Sequence, residues 1–335
     1  MARILIHARE AGVAMALQSL MPMLAEQGHT FLYNVAGHAA AYLDGQPVGQ
    51  PTDADLLLCG YDLPEIDAVG EVIREAGEAG ITSISVLDAW KGLDRFWYRD
   101  GTLRLLTSKI AVMDSISANW LQNEGIPTDH LVVTGHPGLE KTAFLSDSEK
   151  KKLRFAARKK IGIQGQEPIL LLVSEVIFLD GQQPLSLTEL FVDQLERQNI
   201  TEWLNEQYGH EFHLVIRRHP LEVASLPGGW REFPEQDEFE MLAAADVVTG
   251  LCTTLLAHAV MLGRKVINLT SVIHGWNPEN SYIPSGIWQP LLASGILGDP
   301  PGCWNQSSLA RTTHLGAAQS ICTLIADLTA PGLRR

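Results

Sequence analysis

The sequence predicts an α/β protein built of two Rossmann-like domains facing a central cleft, and three observations carry that expectation. Short apolar runs rich in β-formers alternate with stretches of helical spacing, the pattern of parallel strands joined by crossover helices. The alternation runs once over residues 1–145 and restarts near residue 163, after a strongly basic block. A chain of 335 residues also exceeds what one ordinary core organises, at roughly 100–200 residues per domain.

In the N-terminal (acceptor) domain, 1–145, residues 3–7 (RILIH) form the first strand. Leu17, Leu20, Met21 and Leu24 then recur at helical spacing, and Gly28 ends that helix. Residues 30–35 and 54–59 (ADLLLC) are the next strands, and a helix over 65–79 stops at Gly80. Strands at 82–87 (TSISVL), 108–113 and 131–134 complete six.

The block 146–162 opens with SDSEKKKLRFAARKK and is read as a solvated linker helix, not a nucleic-acid arm, because the chain as a whole is acidic. The C-terminal domain, 163–310, begins with a buried strand over 168–174 (PILLLVS) and a helix across 187–207. A strand at 213–217 (HLVIR), a short helix over 239–244 and a strand at 247–249 follow, then a helix over 253–262 and a strand at 265–269. Residues 271–302 lack periodicity and read as a long loop, whose Trp276 and Trp288, with Trp304 just after it, would stack on a ligand or plug the surface. Residues 311–335 hold most of a closing helix and the tail.

Composition excludes several classes. With 46% hydrophobic and 19% charged residues the chain is neither disordered nor fibrous. A formal charge of −14 makes the average surface repel nucleic acid and anionic membranes, so an anionic ligand needs a local basic or amide-lined pocket. Four cysteines without ligand spacing argue against a zinc site or a disulfide framework and fit a reducing cytoplasm. No stretch reaches the roughly 18 apolar residues of a spanning helix, so any membrane contact would be peripheral.

Open α/β sheets bind ligands at the carboxyl ends of their strands. After the first strand come His7, Arg9, Glu10 and Gly12, a polar loop opening a helix, and these are candidate acceptor-binding residues together with Trp90 and Lys91. After the fourth strand stands Asp88, suited to be a general base toward an acceptor hydroxyl and equally suited to cap a helix; Asp94 and Arg95 on the same connection would position substrate. The Gly135-His136-Pro137-Gly138 turn brings an imidazole or merely a rigid hinge. Glu175, after the first strand of the second domain, completes the candidate catalytic set with Asp88 and His136.

The sharpest local signal is Arg217-Arg218-His219-Pro220 directly after an apolar strand, cationic chemistry suited to phosphate or a nucleobase. Gly250, Cys252, Thr253 and Thr254 then join a strand to a helix, offering amides and hydroxyls to a diphosphate.

RRHP, EFEMLAAADVVTG and LCTTLLAHAVMLGRKVINL, in that order, resemble the donor-binding half of GT-B glycosyltransferases, including capsule, CDP-glycerol and sialyl-transferring groups, over most of residues 165–300. The first half is similar mainly in strand rhythm and in VLDAWKG and VVTGHPG. The resemblance implies that His219 and Pro220 meet a nucleotide, Thr253 and Thr254 hold donor phosphate, Glu240 touches the nucleotide and Asp88 is the catalytic acid of the first domain; it casts Asp246 as structural. His258 stands where UDP-sugar enzymes commonly carry a ribose-gripping Glu, which leaves CMP- or CDP-linked donors open.

The partners implied are a nucleotide-sugar donor, which is a substrate and not a cofactor, and an unknown acceptor. No cofactor is expected, and with no DxD pair no metal. A nucleotide-sugar 2-epimerase or hydrolase, and a non-catalytic nucleotide or sugar binding protein on the same fold, are the alternatives.

Overall fold

The computed structural model describes the chain except residues 44, 46, 63–65, 90–94, 99, 164, 166, 178–184, 198, 220–221, 223–224, 234–237, 251–252, 270–315 and 331–335. The chain divides into two compact units, Met1–Lys141 with Ala310–Arg335, and Thr142–Leu309.

Six parallel strands form the first unit's sheet: β1 (Arg3–Ala8), β2 (Thr30–Val35), β3 (Leu56–Cys59), β4 (Thr82–Val86), β5 (Lys109–Val112) and β6 (Leu131–Val133), in the order β2-β1-β3-β4-β5-β6. Their runs are apolar and nearly continuous because helices cover both faces. On one face α1 (Ala11–Glu26) packs Leu17, Leu20 and Leu24 against Ile4, Ile6, Leu56 and Leu58. On the other, α2 (Ile66–Glu78) and α3 (Ser115–Asn123) bury Val69, Ile73 and Leu121 among Leu5, Leu57, Ile110 and Val112. Gly60 lets α1 approach the end of β3, since a Cβ there would lie 2.3 Å from Val13 Cγ2.

Next come α4 (Pro137–Ala143) and, in the second unit, α5 (Asp147–Lys160). The second sheet contains β7 (Ile169–Val173), β10 (His213–Arg217), β11 (Arg231–Glu232), β12 (Val247–Gly250) and β13 (Lys265–Asn268), all parallel, in the order β11-β10-β7-β12-β13. A two-residue hairpin, β8 (Val176–Ile177) with β9 (Leu185–Ser186), precedes α6 (Thr188–Arg197) and α7 (Ile200–Tyr208). The single helix expected across 187–207 is thus two helices, broken where Asn199 takes the left-handed conformation at φ 50°. Then come α8 (Glu238–Ala244) and α9 (Leu255–Met261).

The basic stretch read as a solvated linker is integral to the second unit. Arg154 and Arg158 of α5 turn inward to the Asp246 carboxylate, at 2.7 and 3.3 Å, and to the carbonyls that end α8. The closing helix α10 (Ala317–Thr329) returns to the first unit, where Ile321, Cys322 and Ile325 join the α1 core. Its free N-terminal amides at Gly316 and Ala318 donate to the Glu140 carboxylate of α4.

Candidate functional site

In the first sheet the chain order reverses between β1 and β3, the place where open parallel sheets leave a crevice beyond their carboxyl ends. Asp62, three residues past β3, is fully buried there and accepts from the peptide N–H groups of Arg9 at 2.9 Å and Glu10 at 3.3 Å. It thereby ties the start of α1, which has no side-chain cap of its own, to the β3 tip. Burial pushes the Asp62 carboxyl up to about 7; the Arg9 amide opposes this and the Asp88 charge adds to it. Asp88, two residues past β4, overlies Gly12 at the first turn of α1 and is ion-paired with Arg95. Both side chains of that pair are nearly buried.

Two imidazoles share this sheet edge. His136, after β6, accepts from the Leu139 amide through Nδ1 at 3.0 Å and so caps α4. Burial holds it down to about 4, with the Asp88 charge partly offsetting, so it is neutral at pH 7. Gly138 has no side chain because the His136 ring folds over it, 2.8 Å from where a Cβ would stand. His7, the next-to-last residue of β1, is wholly buried, and neither ring nitrogen has a hydrogen-bond partner among the described residues. Burial, and then the Arg9 charge, hold it down to about 3. The Arg9 guanidinium donates to the Asn34 carbonyl at 2.8 Å and the Asn34 Oδ1 at 2.9 Å, bracing β1 against β2.

In the second sheet the reversal lies between β7 and β12. The tips of β10, β7 and β12 are neighbours, so Arg217 to His219, Ser174 with Glu175, and Gly250 with Thr253 and Thr254 lie along one edge. Gly250 allows a close approach: a Cβ there would meet the Val173 carbonyl at 3.2 Å. Glu175 Oε1 stands 3.4 Å from the Thr253 amide, beside one of the groups expected to hold donor phosphate. Thr253 Oγ1 accepts from the Leu255 amide at 3.3 Å and opens α9.

Several of the expected residues have partners within the second unit. Arg218 is held in a bidentate pair by Glu232 of β11, at 2.7 and 2.6 Å. Glu240 is ion-paired with Lys160 of α5. His258 is buried, 3.2 Å from the Thr142 hydroxyl and edge-on to the Phe239 ring, and so belongs to the packing under α9. Asp246 binds Arg154, Arg158 and the Ile169 amide. Pro220, Cys252, Trp90, Lys91, Asp94, Trp276, Trp288 and Trp304 lie outside the described residues.

Sequence reasoning missed two acids. Asp62 stands in Cys59-Gly60-Tyr61-Asp62, which reads as an ordinary turn; its signal was its place just past a buried strand. Glu222 is buried and gathers the Ser174 hydroxyl at 2.5 Å, the Ser186 hydroxyl and the His219 amide at 3.3 Å. Among the described residues no cluster of three or more His, Cys, Asp or Glu could hold a metal ion.

Two doubly wound parallel sheets, each with polar groups at the carboxyl ends of its strands, make this a protein of the GT-B fold. The Staphylococcus aureus MnaA–UDP structure aligns at a TM-score of 0.61 and 13% identity, over 98% of this chain and 96% of that one. The Methanocaldococcus jannaschii UDP-GlcNAc 2-epimerase in complex with UDP-GlcNAc and UDP aligns at 0.61 and 13%, over 97% and 99%. A variant of the wall teichoic acid polymerase TagF aligns at 0.57 and 10%, over 99% and 90%. No family model matches the chain, and no curated protein matches it in sequence.

Proposed function

We propose that the chain is an enzyme acting on a nucleotide-linked sugar, and that it transfers the sugar to an acceptor hydroxyl without a metal ion. The observation that carries the proposal is the pair of carboxyl groups after β3 and β4, set around the start of α1 at the reversal point of a GT-B sheet. Asp88 takes the acceptor proton, the acceptor oxygen bonds to the anomeric carbon, and the nucleotide leaves with the electrons of the broken bond. Asp62, neutral below about pH 7, keeps a second full negative charge away from Asp88. Arg217, His219, Thr253 and Thr254 receive the nucleotide at the edge formed by β10, β7 and β12. The setting is a reducing cytoplasm, where Cys59 and Cys322 are free buried thiols.

The test is a thermal-shift panel of UDP, CMP, CDP, GDP and dTDP, followed by acceptor extracts with the matching labelled donor. One nucleotide should raise the melting temperature in proportion to ln(1 + [L]/Kd), and label should move to an acceptor. A panel without any shift overturns the reading.

A 2-epimerase is favoured by one observation, a carboxyl protonated near neutrality beside an ion-paired carboxylate, which offers an acid and a base at one place. Incubation of the donor alone in deuterated water separates the readings. Deuterium on the sugar carbon indicates epimerisation, and donor consumed only with an acceptor indicates transfer. Nucleotide binding with neither outcome indicates a non-catalytic binding protein.

A further inference from the structure

The α5 helix carries seven basic and two acidic side chains in fourteen residues, a net charge of +5, which leaves −19 for the rest of a chain of −14. Its cations divide by face. Arg154 and Arg158 are bound to Asp246, Lys160 to Glu240 and Lys150 to the Met261 carbonyl. Lys151, Lys152 and Lys159 are exposed; Lys152 acts on the Glu149 charge, and none of the three makes a hydrogen bond or close ion pair among the described residues.

Phe155 lies on the same outward face, three or four residues from each of those lysines, and is 72% exposed. Phe144, just before the Ser146 cap of α5, is 65% exposed. One exposed aromatic is ordinary on a protein surface. An aromatic flanked by three exposed lysines, on the one cationic helix among the described residues of a strongly acidic protein, is a specific combination.

We propose that this face of α5 docks on an anionic lipid bilayer, with Lys151, Lys152 and Lys159 at the headgroups and Phe155 entering the acyl boundary. The charge is complementary, and the ring supplies the apolar contact that interfacial binding needs. A second copy of the chain is a poor occupant, because a two-fold contact would set these lysines against themselves. Three lysines and one or two rings give reversible binding, sensitive to salt. The proposal does not rest on the enzymatic reading.

Co-sedimentation with phosphatidylcholine vesicles, with and without about one part in three of phosphatidylglycerol, tests it. The full chain should bind the anionic vesicles only and leave them at about 0.5 M sodium chloride. The Lys151→Glu, Lys152→Glu variant should lose at least about 25-fold in partition, five-fold for each lysine removed. Phe155→Ser should weaken binding to the same vesicles at unchanged charge. These positions are exposed, so circular dichroism should be unchanged. No binding at low salt, equal binding to neutral vesicles, or insensitivity to both variants overturns the proposal. So does a single-stranded oligonucleotide that binds through this face while vesicles do not.

Discussion

Gly12 opens α1 directly beneath the Asp88 carboxylate, so close that a Cβ at residue 12 would lie 2.4 Å from Asp88 Oδ2. An alanine there must push Asp88 away from Arg95 or shift the first turn of the helix. Alanine is also the better helix former, by about 1 kcal/mol, which opposes unfolding. Gly12→Ala should therefore leave the melting temperature within a few degrees while turnover falls on the order of 100-fold. Nucleotide affinity should be unchanged, because the nucleotide is assigned to the other unit. Steady-state kinetics beside a binding isotherm check this, and unchanged turnover would remove Asp88 from the reacting atoms.

Asp62 should reveal its proton through stability. Its carboxyl is raised to about 7 by burial, above the ordinary value of 3.8, so the native state keeps a proton the unfolded chain has released. The contribution is complete below 3.8 and is lost as pH rises through about 7. Asp62→Asn removes that dependence. Relative to wild type, the variant should gain stability between pH 4 and pH 7, by at most about 1.4 kcal/mol per pH unit. Urea denaturation across that range measures it, and a constant offset between the two proteins would contradict the assignment.

His7 gives the opposite sign. Its pKa is depressed to about 3, so below 6.5 the unfolded chain takes up a proton that the native state refuses, and stability is lost as pH falls from 6.5. His7→Leu removes a buried imidazole with neither nitrogen partnered among the described residues. It should stabilise by about 1–3 kcal/mol at pH 7 and by more at pH 5. If the unpaired ring is kept for a ligand, the same variant should lose activity while gaining stability, a trade common at working sites. Denaturation at the two pH values beside a turnover assay decides both points.

Much of the architecture was legible because buried parallel strands are apolar throughout. All six strands of the first sheet, and β7, β10, β12 and β13 of the second, stand where runs such as RILIH, ADLLLC and PILLLVS indicated. What was hidden depends on partners distant in sequence. The cations of residues 146–160 look solvated until Asp246, some ninety residues on, accepts Arg154 and Arg158. Arg218 looks free until Glu232 is brought beside it by the pairing of β10 with β11. His258 carries a ligand-like side chain at a motif position, yet packing against Phe239 and Thr142 claims it. Asn199 interrupts a continuous amphipathic pattern by a backbone choice that periodicity does not register.

Glu222 supports the last prediction, because it gathers donors from β7, β9 and the β10 tip onto one carboxylate. Burial works against its charge, but hydrogen bonds from Ser174, Ser186, Thr188 and the His219 amide outweigh it and hold the carboxyl below its ordinary range. With a depressed pKa, its contribution is present above about 4.5 and is lost as pH falls through the native value. Glu222→Gln keeps the shape and removes the charge, weakening hydrogen bonds worth about 1.5–3 kcal/mol each when the acceptor is ionised. The β10 tip at His219 should loosen, lowering stability at pH 7 more than at pH 4. Nucleotide Kd should rise on the order of ten-fold while single-turnover chemistry at saturating donor holds. Equal losses in both would mean that Glu222 supports the whole second unit and not the β10 tip in particular.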